Sequence, residues 1–245
     1  MRIKKEIKNI SYNDTHDFFD TRAKKFNNEN PYAVTMYQDN NPELVKKRND
    51  AEVERLKPLL KIDYNSKILD VACGIGRWSD AITEEVQKYC GIDFCAEFVE
   101  LAKKRNKHSN RKFYVSSSVE VEQKMEEQDE KNFNRVLLIG ALMYLNDSDV
   151  KETLKQIEKL CDDRAIICIR EPIGIEERLT LKDQFSEELK DDYNAIYRTR
   201  GELENIFENT LSQKGFAIKE NGFMFPETDL NNRKETTQYY WIIER

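Results

Sequence analysis

The chain has 245 residues, with 40 Lys and Arg against 46 Asp and Glu and a formal net charge of −6. That balance excludes the broad cationic footprint of a nucleic-acid-binding protein, and an apolar stretch of only about ten residues, 136–145, excludes a membrane-spanning helix. The length suits one large domain with a core of its own.

The first fifty residues are polar and aromatic, rich in Asn and Asp, and interrupted by Pro31 and Pro42. They read as short helices and loops rather than sheet, an N-terminal helical lid over 1–60 that belongs to the same domain as a core over 61–245. Within the lid a helix is expected over 41–60, on a loose stripe of Leu44, Val45, Ala51, Val53 and Leu56. Short apolar runs at 67–72, 88–93, 112–115, 135–139 and 165–170, each followed by a helical segment, call for a parallel sheet with helices on both faces. The basic run Lys103-Lys104-Arg105 falls at a helix end, where cations complement the carbonyl dipole. Asp147 and Asp149 are positioned to cap the helix carrying Val150, Leu154, Ile157 and Leu160. An insert over about 171–200 is longer than ordinary connections and is expected to fold over a substrate. A helix over 201–214 and a closing pair of strands over 216–225 and 236–245 complete the chain, with Asn231, Asn232, Arg233, Lys234 and Glu235 in the loop between those strands.

Five cysteines, at 73, 90, 95, 161 and 168, form no Cys-x-x-Cys pair, and neither histidine stands at zinc spacing. Reduced thiols in a cytoplasmic protein without a metal are therefore expected. Residues 1–6, Met-Arg-Ile-Lys-Lys-Glu, lack the apolar core of a signal peptide.

The most informative segment is 68–80, Ile-Leu-Asp-Val-Ala-Cys-Gly-Ile-Gly-Arg-Trp-Ser-Asp, which joins an apolar strand to a helix through a tight turn. Gly74 and Gly76 have no Cβ to keep a ligand from the backbone and accept positive φ. Asp93 follows nineteen residues after Gly74, at the end of the next strand, where an ionised carboxylate accepts from both hydroxyls of a ribose. A dinucleotide site wants a third small residue where Ser79 stands beside Trp78. The string Asp70-x-Ala72-x-Gly74-x-Gly76 instead resembles motif I of the class I S-adenosylmethionine (SAM) dependent methyltransferases, with Ala72 in place of the usual first glycine.

That resemblance implies a three-layer α/β, Rossmann-like fold with a seven-stranded, mostly parallel sheet in the order 3-2-1-4-5-7-6, strand seven antiparallel. It also implies SAM as cofactor and S-adenosylhomocysteine (SAH) as product. The matching positions are Asp70, Ala72, Gly74, Gly76 and Trp78 around the turn, Asp93 and Phe94 at the ribose, and Ser117, Ser118 and Val119 at the adenine. Ile139 and Gly140 lie near the reacting methyl, with Tyr144 bordering it. Arg22 looks like the lid position from which some relatives hold the methionine carboxylate, and Tyr37 joins it.

Methyl transfer needs a base only for a poor nucleophile, and His16 and Glu171 are the candidates, although pairing with Arg170 would lower the pKa of Glu171 and weaken it. A lone histidine near a helix start is also an ordinary surface or capping residue. Arg170, Arg198 and Arg233 at the mouth, with Tyr32 and Tyr197, point to an anionic acceptor. The expected activity is transfer to oxygen of a small sugar, nucleotide-sugar or phosphate-type acceptor, in a style similar to methyltransferases of bacterial surface-polysaccharide clusters. The exocyclic-amine signature Asn/Asp-Pro-Pro-Tyr is missing where 139–142 reads Ile-Gly-Ala-Leu, which disfavours nucleic-acid bases. A small-amine N-methyltransferase, a nicotinamide oxidoreductase and a non-catalytic SAM-binding protein remain as alternatives. The expected partners are a small-molecule acceptor but neither nucleic acid nor membrane, with the chain a monomer or homodimer.

Overall fold

A computed structural model describes residues 1–245 except 38, 188, 227, 228 and 232; Asn232 of the last hairpin loop thus lies outside the described residues. The chain opens on a strand β1 (Arg2–Lys4) and helices α1 (Tyr12–Lys24), α2 (Ala33–Met36) and α3 (Pro42–Leu56). Alternation follows: β2 (Lys67–Val71), α4 (Arg77–Ala81), β3 (Lys88–Asp93), α5 (Ala96–Arg105), β4 (Arg111–Val115), α6 (Val121–Glu127), β5 (Phe133–Ile139), α7 (Asp147–Leu160) and β6 (Cys161–Gly174). A hairpin β7 (Leu179–Ser186) and β8 (Asp191–Tyr197), helix α8 (Arg200–Glu208) and strands β9 (Ala217–Phe223) and β10 (Thr236–Glu244) close it.

Seven strands form one sheet in the order β4-β3-β2-β5-β6-β10-β9. The central pairs are parallel, and β10 runs antiparallel to both β6 and β9. Counting only these strands along the chain, the order is the expected 3-2-1-4-5-7-6. The apolar runs of β2, β5 and β6 make this arrangement possible, because their residues are buried on both faces. On one face Leu69, Val71, Val136, Leu138 and Ile167 pack with Val150, Leu154 and Ile157 of α7 and with Phe207 and Trp241. On the other, Ile68, Leu137 and Cys168 pack with Leu56, Leu60, Trp78 and Val99. Each such side chain contributes about 1.5–3 kcal/mol.

The start of the chain departs from the helical lid expected over 1–60. β1 is a strand, and it pairs with β7 so that Arg2, Ile3 and Lys4 face Leu181, Thr180 and Leu179. With β8 this makes a three-stranded antiparallel sheet in the order β1-β7-β8. The insert is therefore hairpin, and its alternating Leu179-Thr180-Leu181 turns apolar residues onto Phe18, Phe19 and Val34 of the lid. β6 also runs past residue 170 to Gly174, because β10 pairs along its whole length.

Helix ends shift for local reasons. α3 stops at Leu56, and a 3-10 turn, Pro58–Leu60, follows because proline lacks an amide donor. α8 begins on a capping box of Thr199 and Glu202 and ends at Glu208. Asn146 occupies the cap position of α7, so Asp147 and Asp149 sit in its first turn, where they favour the helix dipole instead.

Ala72, which the motif I resemblance sets in the place of a glycine, holds a left-handed φ of 61°. A side chain in that region costs about 1–2 kcal/mol, and glycine gives back about 0.4–1 kcal/mol through the unfolded chain. Ala72→Gly is expected to raise stability by about 0.5–1 kcal/mol in a denaturant titration, and a lower midpoint would contradict strain at this position.

Candidate active site

The site lies at the carboxyl ends of the parallel strands, where open α/β sheets place ligands. β2 ends in the turn carrying Gly74 (φ 55°) and Gly76 (φ 79°). A Cβ at Gly74 would stand 2.9 Å from Thr35 Cγ2 of α2, so lid and turn meet where only glycine fits. Asp93, at the end of β3, ties the turn down: its Oδ2 accepts from the Gly74 amide at 2.9 Å and its Oδ1 from the Cys95 amide at 2.9 Å. Burial pushes the Asp93 carboxyl up to about 6, and the two amides act in the opposite direction.

Beside this turn is a cavity of about 220 Å³. Ala72, Gly74, Asp93 and Phe94 line one side, Ser116 to Val119 the end of β4, and Ile139, Gly140, Ala141 and Tyr144 the end of β5. The lid supplies Thr15, His16, Phe19, Thr35 and Tyr37. A larger cavity of about 540 Å³ adjoins it, with Tyr37 and Gly140 among the lining of both. Arg2, Arg48, Arg170, Arg233 and Lys234 bring positive charge to this second space, and Glu52, Glu187 and Glu235 negative charge. Tyr193 and Tyr197 of β8 also face it.

Arg170 is built in firmly. One guanidinium nitrogen pairs with Glu52, another donates to Gln238 Oε1 at 3.2 Å, and a Cβ on Gly140 would meet Arg170 Nη1 at 3.1 Å. Glu52, buried on α3, also takes Arg77 Nη2 at 2.6 Å. Burial alone would raise the Glu52 carboxyl, but the two arginines outweigh it and hold the group below its ordinary value.

Several residues expected at the site serve the scaffold. Glu171, proposed as a base, accepts from the amides of Ala141 at 2.7 Å, Leu142 at 2.8 Å and Met143 at 3.1 Å, and it lines neither cavity. Arg198 is 2% exposed, donates to the Leu142 carbonyl at 2.8 Å, the Leu145 carbonyl at 2.6 Å and Asp147 at 2.8 Å, and lines neither cavity. Arg22 forks onto Asp39 at 2.5 and 2.6 Å and onto the Ala33 and Val34 carbonyls, so it braces the lid. Tyr32 donates to Asp80 at 3.0 Å, away from both cavities. Asp70 takes the Tyr89 hydroxyl beneath the turn, Gly76 starts α4, and Trp78 packs in the core. His16 does line the smaller cavity, but its ring lies 4.3 Å from that of Phe94, beside the expected adenine end rather than the acceptor space.

Sequence reasoning missed Glu52, Arg48, Gln238 and Thr35. Glu52 carried one signal, an acid on the face of a helix that otherwise presents Val45 and Leu56; the others look like ordinary surface residues until the fold gathers them.

Residues 68–163 match the family model described as a methyltransferase domain. The sheet built around this segment has the class I methyltransferase fold. The whole fold agrees with it, and the cofactor of the family is SAM. Among curated relatives, a phosphoethanolamine N-methyltransferase 1 of Caenorhabditis elegans is 24% identical over 144 residues, 58% of this chain and 29% of that one. A 23S rRNA (uracil(1939)-C(5))-methyltransferase of Aliivibrio fischeri is 32% identical over 95 residues, 37% of this chain and 21% of its own length. The chain thus spans under a third of the curated relatives it matches. Among solved structures, Haemonchus contortus phosphoethanolamine N-methyltransferase 1, in complex with phosphoethanolamine and SAH, superposes with a TM-score of 0.70 at 18% identity. That match covers 96% of this chain and 50% of that one.

Three carboxyls at the site share a titration. Burial pushes Asp70 and Glu171 up to about 7 and Asp93 to about 6. In an unfolded chain they ionise near pH 4, so between about pH 4 and 7 the folded state binds more protons and its stability falls as pH rises. The melting temperature of the cofactor-free protein is expected to drop between about pH 5 and 7, less steeply in Asp70→Asn; a rise across that window would contradict the burial of these groups.

Proposed function

We propose that the chain binds SAM in the smaller cavity and transfers its methyl group to a small acceptor carrying a phosphate-type anion in the larger one. The observation that carries this reading is the wall the two spaces share, Tyr37 and Gly140, with Arg170 fixed against Gly140 on the acceptor side. In this reading Asp93 accepts from the ribose hydroxyls, Phe94 and His16 flank the adenine, Ser117 to Val119 edge it, and Gly74 lets the cofactor lie on bare backbone. Arg170 and Arg233 meet the anion, Arg170 by the fork geometry that suits phosphate oxygens.

The reaction is an in-line displacement whose sulfonium charge disappears as the acceptor attacks, so the protein acts by holding nucleophile, carbon and sulfur in line. The names of two similar proteins, both phosphoethanolamine N-methyltransferases, favour a phosphorylated amine, the small-amine alternative of the sequence reading. A sugar phosphate of the kind built into bacterial surface polysaccharides offers the same anion with an oxygen nucleophile and is the second acceptor class to assay. Five cysteines, all buried and unpaired, suit a reducing cytoplasm.

The deciding experiment is mass-spectrometric detection of methyl transfer from SAM to phosphoethanolamine and to a panel of sugar phosphates; inactivity on all of them would end this acceptor class. Asp93→Ala is expected to weaken SAH binding by about 1–3 kcal/mol in calorimetry, the range for leaving polar partners unpaired. Because the carboxylate is the accepting form, SAH affinity of the unaltered protein is expected to fall as pH drops through about 6. Arg170→Ala is expected to raise the acceptor KM about tenfold or more while leaving SAH affinity within about twofold, the signature of a lost charged contact on one substrate.

A further inference from the structure

Resting on the reading above, we propose that the acceptor is an amphiphile, its anion joined to an apolar group of several carbons that lies against the small sheet β1-β7-β8. Across β7 and β8, Leu179 stands opposite Tyr197 and Leu181 opposite Ala195; across β1 and β7, Arg2 stands opposite Leu181. Residues opposite one another in antiparallel strands share a face, and so do alternate residues of one strand. Arg2, Leu179, Leu181, Tyr193 and Tyr197 therefore lie on one face of this sheet, and all five line the larger cavity.

Apart from Arg2 these residues are apolar or aromatic, and the lining continues in kind with Met36 of α2 and with Phe225 and Leu230, between β9 and β10. Leu179 and Leu181 are buried in the cluster that includes the lid, but Met36, Tyr197 and Leu230 are half-buried and keep apolar surface open. A ligand group that takes the place of water against such surface gains free energy in proportion to the area covered.

The contact for the anion is fixed at another place. Arg170 of β6, paired with Glu52 and donating to Gln238 Oε1 at 3.2 Å, stands beside Gly140 at the wall shared with the smaller cavity. An acceptor made only of an anion and a short amine, as phosphoethanolamine is, engages that wall and leaves the sheet face in water. The cavity, about 540 Å³, has the size of sites that enclose drug-sized ligands. An anion beside Gly140 with a hydrocarbon chain or ring reaching the sheet meets both kinds of lining at once.

The test is calorimetric, on the SAH-loaded protein, with n-alkyl phosphates from methyl to hexyl as probes and phenyl phosphate beside them. Affinity is expected to tighten about two- to fourfold per added methylene, and phenyl phosphate to bind about tenfold or more tighter than methyl phosphate. Met36→Ser and Leu230→Ser, at half-buried positions, are each expected to cut the gain from methyl to hexyl phosphate about threefold or more. Arg170→Ala is expected to weaken every probe by about the same factor and leave that gain in place. Affinity independent of chain length, or a gain untouched in both Met36 and Leu230 variants, would overturn the apolar subsite while leaving the anion contact and transfer to phosphoethanolamine intact. No binding of any probe would remove the anion from the acceptor, and the amphiphile with it.

Discussion

The turn after β5 is the piece on which both cavities depend, and it is held by opposite charges on its two sides. A turn has no ladder or helix to satisfy its backbone, and burial makes every unpaired amide or carbonyl costly. Glu171 takes three amides of residues 141–143, and Arg198 supplies the carbonyls of Leu142 and Leu145. Fixed in this way, the turn presents Gly140 to both cavities and aims Tyr144 at the lid. A second fixed point is Glu52, whose carboxylate is shared by Arg77, the first residue after the glycine turn, and Arg170 of the larger cavity. One buried carboxylate therefore sets the relative position of the two half-sites.

The lining of the smaller cavity was largely legible in the sequence because it is local. Glycines in a strand-to-helix turn and an acid at the next strand end are a few bonds from the backbone they shape, so Gly74 and Asp93 are found by spacing and Ser117 to Val119 by the resemblance. The sheet order was legible for the same reason, since short apolar runs alternating with helices leave few right-handed arrangements. Ala72 was readable as a departure, although only the structure shows that it keeps the left-handed backbone of the glycine it replaces.

The lining of the larger cavity was hidden because charge is ambiguous in one dimension. Arg170 and Arg198 look alike in sequence, yet one edges a cavity and the other feeds backbone carbonyls. Glu171 was expected beside Arg170, and Glu52 stands there instead, for the same reason: which acid meets an amide and which meets a guanidinium depends on packing between α3, β6 and the turn. The insert was read as a covering loop since its polar residues, Lys182, Asp183 and Gln184, mask the strand alternation of its first half. Only pairing with β1, nearly 180 residues away along the chain, makes that hairpin part of a sheet.

That distant pairing gives the first few residues a protective task. β1 covers one side of β7, so without it the row of amides and carbonyls at Leu179 to Leu181 becomes an open border available to any extended peptide, including the same segment of another molecule. Shortening the amino terminus therefore does more than uncover a cleft: it replaces the short three-residue edge of β1 with the longer edge of β7, which is more prone to self-association. A bulky fusion placed directly ahead of Met1 invites the same outcome.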